Sequence, residues 1–187
     1  QEQPAFDLMR DVERRYMAAS GISSRDHYSI FYGPLLRSPL VTINANPGGS
    51  PDDYTIVDVY AGKHEYVEGR ASGKTTQNGA EIFGAIAGSS RPDIIRRFQV
   101  FNRYFRRSPG QPSGSLRNEY GREAAPFLRE LITYVAPEVL LFGGDQGLRD
   151  FVNIQGGTLK TVKVPTMGPN GSNEAVYHAV YDLQLPW

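Results

Sequence analysis

The stretch REAAPFLRELITYVAPEVLLFGGDQGLRDFV, Arg122 to Val152, decides the fold class. Glu123 to Val135 carries apolar residues at helical spacing and stops at Pro137, whose ring cannot continue a helix. Glu138 to Phe142 is a short apolar run that reads as a buried strand, Gly143 and Gly144 supply a turn, and a second helix begins near Asp145. Helix, buried strand, glycine turn and helix make an αβα unit of a parallel sheet.

Outward from that unit, the chain repeats the theme. Ala5 to Ala19 places Phe6, Met9, Val12, Tyr16 and Met17 among charged residues at helical spacing, and Gly21, Ser23 and Ser24 end it. A Tyr-rich connector through Tyr28, Phe31 and Tyr32 leads to a strand at Leu40 to Asn44, and β-branched residues predict another at Tyr54 to Tyr60. Gly62 to Gly79 reads as a long polar loop, followed by a short helix at Ala80 to Ala87. RRFQVFNRYF, Arg96 to Phe105, is a strand-like core in an arginine frame, and Ser108 to Ser115 is a Pro/Gly/Ser loop. A last strand, Leu159 to Val164, runs into PTMGPNGSNEA. The expected architecture is a single α/β domain, a three-layer α/β/α sandwich around a short, mostly parallel sheet. Strands ending at Ala45, Phe142 and Val164 would gather their polar loops on one edge, where ligands of such sheets bind.

Composition narrows the chemistry. At 187 residues the chain suits one domain, and 20 Lys plus Arg against 20 Asp plus Glu give no net field toward nucleic acid or membrane. There is no cysteine, which excludes disulfides, thiolate metal ligands and a thiol nucleophile. His27, His64 and His178 are scattered without ligand spacing, so a metal site finds no support. No apolar run spans a membrane and the first residues are too charged for a signal peptide, so a soluble, cytoplasmic monomer is the expectation. GRASGKT, Gly69 to Thr75, misses the Walker spacing by one residue and lies inside a polar loop. Neither G-x-G-x-x-G after the first strand nor G-x-S-x-G occurs.

What remains is NANPGG, Asn44 to Gly49, an amide in a rigid turn beside backbone N–H groups that a ligand can approach closely. Asn-Pro-Gly is also an ordinary turn. However, PLVTINANPGG resembles the first strand-and-loop motif of the uracil-DNA glycosylase superfamily, in the branch whose motif reads Gly-hydrophobic-Asn-Pro-Gly. Asn46, Pro47 and Gly48 match, while Asn44 replaces the usual glycine. The resemblance continues in order through GRASGKTTQNGAEIFGAIAG, through FQVFNRY, which is similar to the strand ending in a base-reading Asn, and through PFLRELITYVAPEVLLFGGDQGLRDF. It covers most of the chain. The departure is in the last motif, where active relatives usually carry a histidine in a His-Pro-Ser type loop and this chain reads VPTMGPNGSNEA.

The resemblance implies hydrolysis of the N-glycosidic bond of uracil or a related base in DNA, as in base excision repair, with no metal or organic cofactor. Such a reaction builds positive charge on the sugar and negative charge on the base, and therefore needs donors at the base oxygens and a positioned water. Asn46, with Asn44, takes the catalytic position. Asn102 suits the edge of a flipped pyrimidine. Pro47, Gly48, Gly143, Asn170, Ser172 and Asn173 would line the pocket, with Tyr54 or Tyr60 as a stacking platform. Arg91, Arg96, Arg97, Arg103, Arg106 and Arg107, interleaved with Phe98, Phe101, Tyr104 and Phe105, would hold DNA phosphates, although a run of charge is usually just a solvated face. Two alternatives stay open: a non-catalytic protein of this fold that binds nucleic acid or a partner, and an enzyme acting on another nucleoside or nucleotide.

Overall fold

The computed structural model describes residues 3–45, 47, 57–68, 81, 83–86, 88, 91–108, 110, 112–143, 145–163 and 180–187. Helix α1, Phe6–Ser20, turns Met9, Val12 and Tyr16 inward at the helical interval, and each is fully buried. It ends at Gly21, whose φ of 69° is the left-handed conformation that glycine adopts without strain. Three parallel strands follow: β1, Leu40–Asn44; β2, Gln99–Asn102; and β3, Val139–Phe142, in the order β2-β1-β3. Helix α2, Gly114–Val135, carries the chain from one edge strand to the other, and α3, Asp145–Gln155, follows β3. Beyond lies an antiparallel pair, β4, Thr158–Lys163, with β5, Val180–Gln184.

The strand period of two sorts the side chains into two layers. Val41, Ile43 and Phe101 point into the main core with Tyr16, Phe105, Leu128, Leu131, Phe151 and other residues of α1, α2 and α3. Tyr16 is its hub, edge-on to Tyr28, Phe105 and Phe127 at centroid distances of 5.6, 5.1 and 5.6 Å. Val100, on the opposite face, packs with Tyr32, Tyr66, Phe83 and Ile95. That layer is built from single-turn helices at Glu65–Glu68 and Pro92–Ile95 and from the helical residues Glu81 and 83–86. The protein is therefore an α/β/α sandwich with long helices on one face of the sheet and short ones on the other. Among the described residues, no helix is long and apolar enough to cross a membrane.

Several sequence expectations are corrected. Helix α2 starts at Gly114, two turns before Glu123, because Leu116 to Tyr120 are largely solvent-facing and show no apolar stripe. Residues Val59–Ala61 form a 3₁₀ turn, not the end of a strand, since the Asp58 carboxylate accepts from the Tyr60 and Ala61 N–H groups. Inside the expected polar loop from Gly62, the Glu65–Glu68 turn buries His64, Glu65 and Tyr66. Strand β3 is a half-covered edge, with Val139 54% exposed, and not a strand buried on both faces. Among the described residues, the strand at Thr158–Lys163 pairs with β5 in a separate two-stranded sheet and not with the parallel one, and the expected loop after Val164 lies outside the described residues.

Candidate functional site

Parallel pairing sets the ends of β1 and β2 level: Val41 aligns with Gln99, Thr42 with Val100, Ile43 with Phe101 and Asn44 with Asn102. Residues opposite one another in a parallel pair share a face, so both amides lie on the aromatic side, at the carboxyl ends of strands about 4.8 Å apart. The ladder continues beyond them, as Arg103 donates its N–H to Asn44 O at 2.9 Å and Tyr104 to Ala45 O at 3.2 Å.

Each amide meets a buried tyrosine. Asn44 Nδ2 donates to the Tyr66 hydroxyl at 3.0 Å. Asn102 has no exposure; its Nδ2 donates to the Tyr32 hydroxyl at 3.1 Å and its Oδ1 accepts from it at 3.2 Å. The two tyrosine rings meet edge-on, 5.6 Å between centroids at 77°. Tyr66 contacts Phe83 at 5.3 Å, and Phe83 stacks on Phe98 at 4.6 Å and 12°. Burial pushes the Tyr66 phenol up to about 12, despite the lowering effect of the Asn44 bond, so this hydroxyl is neutral near pH 7 and is no base.

His64 supports Tyr66 from behind. Its Nε2 lies 3.2 Å from Phe98 O, and its Nδ1 accepts the Tyr66 N–H at 3.2 Å. Those partners assign the proton to Nε2. Burial pushes the imidazole down to about 4, against the raising effects of Phe98 O and Glu68, while Arg96 adds to the lowering. Gly33 is required here, because a Cβ on it would lie 2.3 Å from the His64 ring.

No known protein family and no curated protein matches the chain.

Of the residues singled out by sequence, the structure brings together Asn44, Asn102 and Gly143. Gly143 follows Phe142, which pairs with Ile43, and so stands level with Asn44; a side chain there would meet nothing within 4 Å. Pro47 is buried just beyond β1. Asn46, Gly48, Tyr54, Asn170, Ser172 and Asn173 lie outside the described residues. Tyr60 does not join the amides. It docks on the α1 side, with its hydroxyl donating to Glu13 at 2.8 Å, Phe6 against its ring at 5.9 Å and the Arg10 and Arg25 guanidinium groups each 5.1 Å from the ring centroid. Those contacts leave it no role as a platform beside Asn44 and Asn102.

The arginines divide as well. Arg103 is buried and ion-paired to Asp150 at 2.8 Å, with Gly147 O at 3.4 Å. Arg106 makes a bidentate pair with Glu123 and donates to Ser20 O at 2.8 Å, closing a network in which Tyr16 donates to Glu123 at 2.6 Å. Both are engaged in ion pairs that tie α2 and α3 to the rest of the fold. Arg96 pairs with Glu68, and Arg91 with Asp93. Arg97 is exposed and Arg107 is half-buried.

Sequence reasoning missed Tyr32, His64 and Tyr66. The signal was weak but present: the connector to β1 is rich in tyrosine, and Tyr66-Val67 is an apolar pair inside a charged segment.

Proposed function

We propose that the protein is a uracil-DNA glycosylase-type hydrolase that accepts an extruded uracil or related base and breaks its N-glycosidic bond. The observation that carries this reading is the level placement of Asn44 and Asn102 on one face, at the carboxyl ends of adjacent parallel strands, each held by a tyrosine hydroxyl. An amide offers a donor and an acceptor side by side and stays uncharged, which suits the paired donor and acceptor on a pyrimidine edge. The strand-and-loop resemblance around Asn44 to Gly48 supports the same reading.

In this reaction water attacks C1′, the C1′–N1 bond breaks with its electron pair leaving on the base, whose carbonyl oxygens gather the negative charge, and the proton lost by the water passes to solvent and then to the departed base. Neutral donors aimed at those oxygens lower the barrier without themselves changing charge. Asn102 holds the base, Asn46 takes the water-positioning role that the motif resemblance implies, and departure of the base is assisted by amide and backbone donors where relatives use histidine. Oxocarbenium character on the sugar tolerates a weakly activated nucleophile.

Labelled single- and double-stranded DNA carrying one uracil, followed by alkaline cleavage of abasic sites, tests the reading. Cleavage that falls at least about a hundredfold in Asn46→Ala and in Asn102→Ala is the expected outcome. Absence of cleavage by the wild-type protein on either substrate refutes it. A second reading, action on a free nucleoside or nucleotide, is favoured by the inward ion pairs of Arg103 and Arg106, which reduce the basic surface open to a duplex. Turnover of deoxyuridine without cleavage of uracil-containing DNA would select it.

A further inference from the structure

An amide side chain has two N–H donors and two acceptor lone pairs, and a buried one ordinarily fills them. Asn102 is fully buried, yet among the described residues the Tyr32 hydroxyl alone serves both its Oδ1 and its Nδ2, at 3.2 and 3.1 Å. An oxygen nearly equidistant from the two atoms sits on the bisector of the amide edge and bends both bonds. At 3.2 Å the O–H···O contact is also longer than the usual range of about 2.5–3.0 Å. Asn102 therefore holds an acceptor–donor edge satisfied by one shared, poorly aligned hydroxyl.

The chemical complement of that edge is a cis-imide or lactam, in which an N–H stands beside a C=O. Its two atoms would meet Oδ1 and Nδ2 as two parallel bonds, replacing one shared partner with two aligned ones. We propose that Tyr32 is a specificity-determining gate: its hydroxyl occupies the recognition edge of Asn102 in the unliganded protein and yields it only to a ligand presenting an uncharged imide or lactam edge. A ligand with a lone carbonyl or a lone amine restores no more than the hydroxyl already provides and leaves the gate shut. The Tyr32 backbone stays in place during this exchange, since its carbonyl accepts the Glu65 N–H at 2.6 Å. The identity of the ligand as a base rests on the proposed function; the gate itself rests on the Tyr32–Asn102 geometry.

The test is calorimetric titration of the wild-type protein, Tyr32→Phe and Asn102→Ala with three probes: uracil, 1,3-dimethyluracil, which has no N–H beside either carbonyl, and succinimide, which carries the imide edge without a nucleobase. Tyr32→Phe removes the hydroxyl that competes for both amide atoms, so it should bind uracil and succinimide roughly three- to tenfold more tightly than wild type. Neither protein should bind 1,3-dimethyluracil comparably, and Asn102→Ala should lose the distinction between the probes. Equal or weaker imide binding by a folded Tyr32→Phe overturns the gate and makes Tyr32 a residue that only positions Asn102. A gate effect with succinimide but not uracil keeps the gate and refutes the base reading, and a gate effect with uracil but no DNA cleavage refutes the reaction alone. Should Tyr32→Phe fail to fold, the wild-type Asn102 side-chain N–H₂ signals, assigned by their loss in Asn102→Ala, still decide: they should shift on saturation with succinimide, and no shift overturns the proposal.

Discussion

At the scale of single residues, His64 shows how a polar side chain becomes part of the aromatic layer. It is fully buried, neutral, and bonded through both ring nitrogens. Its folded value of about 4 lies below the roughly 6.5 of an unfolded chain, so between those values the unfolded state holds the extra proton. The contribution is therefore complete above about pH 6.5 and is lost as pH falls toward 4. Glu68, held below the usual carboxylate range by Arg96 and by the His64 N–H against the opposing cost of burial, acts in the same sense at lower pH. Urea unfolding of the wild-type protein should lose roughly 2 kcal/mol between pH 7 and pH 5 from this group, a slope that His64→Gln should flatten. An unchanged slope in the variant would show that His64 does not titrate on unfolding in this way. His64 also marks the limit of sequence reading. Its imidazole ring meets Gly33, Phe98 and Tyr66, and of these the last alone is a sequence neighbour. Asn44 and Asn102 were legible because each closes an apolar run; Tyr32 and Tyr66 were not, because nothing in a run of tyrosines says which one meets an amide.

At the scale of elements, α2 bears a local conflict. Pro126 lies in its interior, where the ring denies the Arg122 carbonyl its N–H partner. The helix forms regardless because Ala124, Ala125, Phe127, Leu128, Leu131, Ile132 and Val135 are buried against the core, and tertiary packing outweighs local preference. Pro126 is exposed, so Pro126→Ala should raise stability by about 1–3 kcal/mol, read as a higher urea midpoint with an unchanged slope. A lower midpoint would mean that the ring makes a contact worth more than the missing bond. The αβα unit was readable from this region because its apolar spacing survives the proline. The two extra turns at Gly114 were not, since Gly and Ser there look like loop and the burial that would betray a helix begins only at Gly121.

For the molecule as a whole, the two faces of the sheet differ in how firmly they are covered. Long helices, each with three or more turns, shield Val41, Ile43 and Phe101, whereas one-turn helices shield Val100 and Asn102. A one-turn helix has few internal bonds to break, so the aromatic side should open locally at low cost. In native-state hydrogen exchange, amides of Glu65–Glu68 and of Ile94 and Ile95 should exchange at least about a hundredfold faster than those of Phe127 to Ile132. Comparable protection of both sets would show a single cooperative unit. The sandwich itself was anticipated from the alternation of helices, strands and glycine turns, while the separate β4–β5 ribbon was not, because Thr158–Lys163 and Val180–Gln184 lie far apart in sequence and the residues between them, Asn170-Gly171 included, read as a polar loop.

The pairing of β1 with β2 also acts as a ruler. Adjacent residues of a strand point to opposite faces, so a slip of β2 by one position would swap Phe101 into the aromatic layer and send Asn102 into the main core. That error would bury an amide among hydrocarbon and leave the Tyr32 hydroxyl without it. The amide pair therefore serves as its own proofreading: the register that assembles the site is also the one that spares the core a polar intruder. Any substitution that preserves recognition must preserve the alignment of the sheet along with it.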